Sequence, residues 1–125
     1  MLSGLFSKKE SVSVPWIQLS DASQLDKVDE DSKERPIVIF KHSTRCSISA
    51  MSLSRFERSY NEDAPFETYY LDLIAYRNIS DEITDRYEVR HESPQVLLIS
   101  NGKSIFNTSH MGISFDELKS EASKV

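Results

Sequence analysis

The chain has one cysteine, Cys46, and it stands where the apolar run Ile37-Val38-Ile39-Phe40 gives way, through Lys41-His42-Ser43-Thr44-Arg45, to a segment of helical periodicity. A thiol at the junction of a strand and a helix lies beside the free N–H groups of the first helical turn, whose partial positive charge favours the thiolate. The chemistry implied is nucleophilic attack by sulfur. Arg45 adds a fixed positive charge next to the thiol, and Lys41 and His42 stand a few residues upstream, so all three are expected to favour the thiolate further. Ser49 follows at C-x-x-S spacing, the dithiol spacing of a redox helix with serine in the second place. Three residues on, its hydroxyl is expected to face the same helix end and hydrogen-bond the thiolate, beside the amides of Ser47 and Ile48. Serine cannot attack a mixed disulfide, so such a site takes the first step of an exchange and needs an outside thiol to finish it.

Each of these residues also has a plainer reading. A lone cysteine is more often a small buried hydrophobe, and only its place at the hinge favours the reactive one. His42 reads either as a base or as a residue that closes the strand end; the structural reading is preferred, because nothing fixes its geometry toward Cys46. Thr44, in the same turn, is a secondary candidate with His42. Ser93-Pro94 is the other candidate position: a cis bond there would point the Ser93 backbone toward a partner chain, although only about one X-Pro bond in twenty is cis. His91, Glu92 and His110 show no local ligand spacing with each other or with Cys46, so no metal site is expected. Trp16, the tyrosines and the methionines read as packing.

The elements that must position these residues follow from the pattern. Pro15 to Leu19 reads as a first strand, and Ser20-Asp21 can cap a helix with Leu25 and Val28 on one face. The charged run Asp29 to Arg35 should end that helix as solvated surface. Ile37 to Phe40 lacks alternation, which suggests a strand buried on both faces in mid-sheet. After Cys46 a helix should run to about Tyr60, with Leu53, Phe56 and Tyr60 inward and Arg55, Glu57 and Arg58 toward water. Phe66 to Asp72 is a third strand, and a helix from Asn78 or Ser80 carries Ile79, Ile83 and Tyr87, with Asp81 and Glu82 in its first turn. Gln95 to Ser100 and Ser104 to Thr108 form a hairpin through Asn101-Gly102, and Ser114 with Glu117 makes a capping box for a last helix bearing Phe115, Leu118 and Ala122. The order β-α-β-α-β-α-β-β-α specifies an α/β fold: a mixed sheet of three early strands joined by helical crossovers, plus a C-terminal hairpin, flanked by helices.

Length and composition suit one domain over residues 14–125 behind a tail, residues 1–13, with room for a short helical turn. With 28% charged residues and a net charge of −5, a nucleic-acid partner is not expected, although Lys41, His42 and Arg45 could form a local basic patch. No apolar run reaches the roughly 18 residues of a membrane span. A cytoplasmic protein is the expectation, and one cysteine fits a reducing compartment.

The order of elements, the cysteine at the start of the second helix and Ser93-Pro94 ahead of the fourth strand resemble a thioredoxin fold. More narrowly, Ile39-Phe40-Lys41-His42-Ser43-Thr44-Arg45-Cys46-Ser47-Ile48-Ser49 is similar to the YtxJ-like family, the monothiol bacilliredoxins of the bacillithiol system, with the likeness extending over about Trp16 to Leu118. The resemblance implies that Cys46 is the nucleophile and Pro94 the cis-proline of the fold. Many relatives have proline after the cysteine, where this chain has Ser47. The expectation is monothiol thiol–disulfide exchange by a monomer without a bound cofactor. A low-molecular-weight thiol such as bacillithiol would be co-substrate, and S-thiolated proteins would be the clients. The alternative is a non-catalytic binding module or thiol sensor. Cluster binding, as in monothiol glutaredoxins with Cys-Gly-Phe-Ser, is disfavoured because Ser47-Ile48 replaces Gly-Phe.

Overall fold

The structure, a computed structural model, describes residues 13–125. The expected helical turn of the tail lies outside them. Among the described residues the elements run β1 (Ile17–Gln18), α1 (Gln24–Asp31), β2 (Ile37–His42), α2 (Ser47–Ser59), β3 (Glu67–Asp72), α3 (Arg77–Tyr87), β4 (Gln95–Ser100), β5 (Lys103–Ser109), a 3₁₀ turn (His110–Gly112) and α4 (Phe115–Ala122). The five strands form one sheet in the order β1-β3-β2-β4-β5. β1, β3 and β2 are parallel, β4 runs antiparallel to β2, and β5 antiparallel to β4. This is the thioredoxin-like α/β arrangement. No described helix is long and apolar enough to cross a membrane.

The apolar runs of β2 and β4 do not alternate because both strands are covered on both faces; every residue of each is buried, the polar ones at their ends included. Successive side chains of a strand point to opposite faces, so β2 feeds two cores. Ile37 and Ile39 pack with Leu25, Val28, Ile79, Ile83 and Tyr87 from α1 and α3. Val38 and Phe40 pack with Phe56, Phe115, Leu118 and Ala122 from α2 and α4. In the second core Phe56 meets three rings at centroid distances near van der Waals contact, Trp16 at 5.6 Å, Phe40 at 5.8 Å and Phe115 at 5.7 Å.

At the hairpin, Asn101 and Gly102 both take positive φ, 51° and 74°, as a two-residue turn of this hand requires. The turn is pinned to the end of α1, where Ser32 accepts from Asn101 N at its carbonyl (3.0 Å) and from Gly102 N at Oγ (2.8 Å).

Two expectations need correction. α3 starts at Arg77, earlier than Asn78 or Ser80, and its first turn holds no acid, because the Asp72 carboxylate takes the N–H groups of Ile74 and Ala75 and brings the chain round sooner. The charged run is not all solvated surface. α1 continues to Asp31, and Asp29 is half-buried, accepting from Tyr87 Oη at 2.6 Å and Arg86 at 2.9 Å. Burial and that hydrogen bond hold the Tyr87 phenol well above its ordinary range.

Phe56 locks the Cys46-bearing helix to the sheet. Phe56→Ala should therefore lower unfolding free energy by about 3–5 kcal/mol, read as a shifted urea midpoint with little change in slope.

Candidate functional site

Cys46 is the N-cap of α2 and has extended backbone (φ −117°, ψ 121°). Its carbonyl accepts the first helical bond from Ala50 N at 3.0 Å, and its own N–H closes the preceding turn onto Ser43 O at 3.2 Å. The half-buried thiol thus sits at the positive end of a 13-residue helix, where negative charge is favoured. Around it Thr44, Arg45, Ser47 and Ile48 are exposed.

Ser49 is placed differently from the sequence expectation. It is fully buried, and its hydroxyl lies 2.7 Å from His42 Nδ1 while accepting from Ser43 N at 3.0 Å. Among the described residues its hydrogen bonds run to His42 and Ser43, not to the thiol. The C-x-x-S spacing therefore builds a brace beneath the Ser43–Cys46 turn. His42 is part of this brace, at 7% exposure and with its ring 5.8 Å from Tyr70. Burial lowers its pKa, with Asp72 and Glu57 pulling the other way, and the 2.7 Å contact ties the ring to Ser49.

The basic patch of Lys41, His42 and Arg45 does not form. The last two residues of β2 lie inside the fold, and only Arg45 reaches the surface. Lys41 is fully buried on the face opposite His42, with Nζ 2.9 Å from His91 Nδ1 and 2.9 Å from Gln95 Oε1. Desolvation brings its pKa down from 10.5 to about 8, against the opposing pull of Asp81 and Glu92. His91 is lowered as well, first by burial and then by the Lys41 charge.

The Ser93-Pro94 bond is cis. Its loop is tied to α2 through the 3₁₀ turn: Ser52 Oγ donates to His110 O (3.1 Å), and His110 N donates to Pro94 O (2.9 Å). Ser109 Oγ donates to Glu92 Oε1 at 3.0 Å, and His110 Nδ1 stands 3.6 Å from the same oxygen. His91, Glu92 and His110 are therefore engaged with Lys41, Ser109 and one another. The described residues contain no cluster of three or more His, Cys, Asp or Glu side chains able to hold a metal ion. Gln95, Ser52 and the inward Lys41 escaped the sequence reading. The available signal was parity, since Lys41 falls on the same face of β2 as Ile37 and Ile39.

Two measurements probe these groups. Ser49→Ala leaves the Ser43 N–H and His42 Nδ1 without their shared partner in a buried place, so it should cost about 1–3 kcal/mol of stability in urea titration. Lys41 binds its proton less tightly in the fold than in the unfolded chain, so folding gains stability as pH rises from about 8 toward 10.5. Compared with Lys41→Met, wild type should be at its greatest relative disadvantage near neutral pH, and the gap should close across that window.

The family model for the monothiol bacilliredoxin BrxC matches residues 17–118. Among solved structures, a thioredoxin-fold protein described as a candidate oxidoreductase is 32% identical. It aligns over 86% of this chain and 93% of its own, with a TM-score of 0.74. The thioredoxin of Malassezia sympodialis (16% identity, 94% and 96% coverage, TM-score 0.67) and that of Fasciola hepatica (20%, 86% and 96%, 0.63) share the fold. With a thiol–disulfide redox role and a thioredoxin-like frame, the chain belongs to the monothiol bacilliredoxin family.

Proposed function

We propose that the protein removes a low-molecular-weight thiol, bacillithiol or one like it, from mixed disulfides on client proteins, with Cys46 as the nucleophile. The observation that carries this reading is a single half-buried thiol at the N-cap of α2, in a sequence with no second cysteine to resolve a disulfide. The Cys46 thiolate attacks the cap sulfur and forms a Cys46–cap disulfide, and the client leaves as its thiolate. The thiolate of a second small thiol then attacks the cap sulfur, yielding the small-molecule disulfide and returning Cys46. No bound cofactor or metal takes part.

Arg45 and the amides of Ser47 and Ile48 stabilise the sulfur's negative charge. Ser49 acts one step back, holding with His42 the turn that carries the thiol. Thr44 stands exposed in that turn as a client contact, and the backbone at Ser93, beside Pro94, aligns the client. In this reading the protein acts as a monomer in a reducing cytoplasm. Its net charge of −5 supports neither nucleic acid nor an anionic membrane as partner.

The test is a client protein capped on one cysteine with bacillithiol, incubated with excess bacillithiol and a trace of the protein. Many turnovers are expected with wild type and background release with Cys46→Ala. Equal release by the two would exclude the proposal, and a stable adduct on Cys46 without turnover would identify a thiol sensor instead.

A further inference from the structure

Lys41 is fully buried, yet no carboxylate of the described residues lies within ion-pair distance of it. The close partners of its ammonium are an imidazole and an amide, His91 Nδ1 and Gln95 Oε1. Asp81 and Glu92 act on it from farther away. Taking an ammonium out of water without a paired carboxylate is costly, and an apolar side chain of similar length often does as well or better for stability. Fold stability therefore gives no reason for lysine here.

Its hydrogen bonds do give one. An ammonium only donates, so it fixes which end of the Gln95 amide faces it. With Oε1 turned to Lys41, Nε2 donates to Arg90 O at 3.0 Å, and Oε1 also lies 3.4 Å from Glu92 N. One oriented amide thus closes the loop from Arg90 to Gln95, and Lys41 takes a second hold at His91. Ser93 and Pro94 lie within the span. The far side of the same loop is held by Ser109 and His110. The thiol turn is braced separately, by His42, Ser43 and Ser49 on the other face of β2.

We propose that Lys41 is a positioning residue for client proteins: through Gln95 and His91 it holds the Arg90–Pro94 loop in the shape that presents the Ser93 backbone to a chain docked at Cys46. The inference rests on the proposed reaction only for what the loop aligns. Lys41 acts on the client side of the exchange and leaves the thiol side alone.

The experiment compares wild type with Lys41→Met, Gln95→Met and the double variant. Alkylation of Cys46 by iodoacetamide and reaction with a small aromatic disulfide should stay within about twofold of wild type, since the thiol turn keeps its own brace. Amide hydrogen exchange at 91–93 and 95 should quicken about tenfold or more, because the loop loses its inner ties. Release of the cap from a protein client should fall about tenfold in kcat/KM, mainly through a raised KM. The double variant should be no worse than Lys41→Met, because the two residues act as one unit. Unchanged loop exchange would overturn the inference, as would a loss of alkylation equal to the loss of client release, or additive effects. Should Lys41→Met fail to fold, Gln95→Met carries the same readouts. Wild type that releases no cap would defeat the proposed reaction, while loop exchange would still decide the placement of Lys41.

Discussion

The end of the molecule that carries Cys46 depends on how a sheet covered on both faces accommodates two polar residues at the end of its central strand. β2 is buried along its whole length, so Lys41 and His42 lose nearly all contact with water and find partners inside. Alternation sends them to opposite faces. His42 meets Ser49 under the thiol turn, and Lys41 meets Gln95 and His91 under the cis-proline loop. One dipeptide thereby braces both the turn before Cys46 and the loop before β4.

This division leaves the turn that carries Cys46 at the surface, with its supports beneath. Thr44, Arg45, Ser47 and Ile48 are open to solvent around a half-buried sulfur, an arrangement suited to a disulfide on another protein's surface. The rigidity lies below, in aromatic packing around Phe56 and in the buried braces. Away from the site, Arg86 gathers Asp26, Asp29 and Glu82 and joins α3 to α1. That network leaves the thiol end of the molecule untouched.

Much of this was legible in the chain. The unbroken apolar run of β2, the Asn101-Gly102 turn and the capping box at Ser114, where Oγ accepts from Glu117 N, are local signals, and local signals set their elements. The hinge position of Cys46 was legible for the same reason. What escaped depends on partners distant in sequence. Ser49 looked like a partner for the thiol because helical spacing places it three residues on, but its hydroxyl was claimed by His42, which reaches it only once β2 runs beneath α2. Lys41 looked like surface charge because lysine usually is. Its burial follows from two more residues of strand than the apolar run alone indicated, and its partner Gln95 is 54 positions away.

His110 adopts a positive φ of 56° and, with one backbone unit, accepts from Ser52 on α2 and donates to Pro94. Its peptide groups act as a caliper between the helix capped by Cys46 and the cis-proline loop. His110 thus sets one span across the mouth of the site, beside the inner ties that Lys41 and Gln95 make to the same loop.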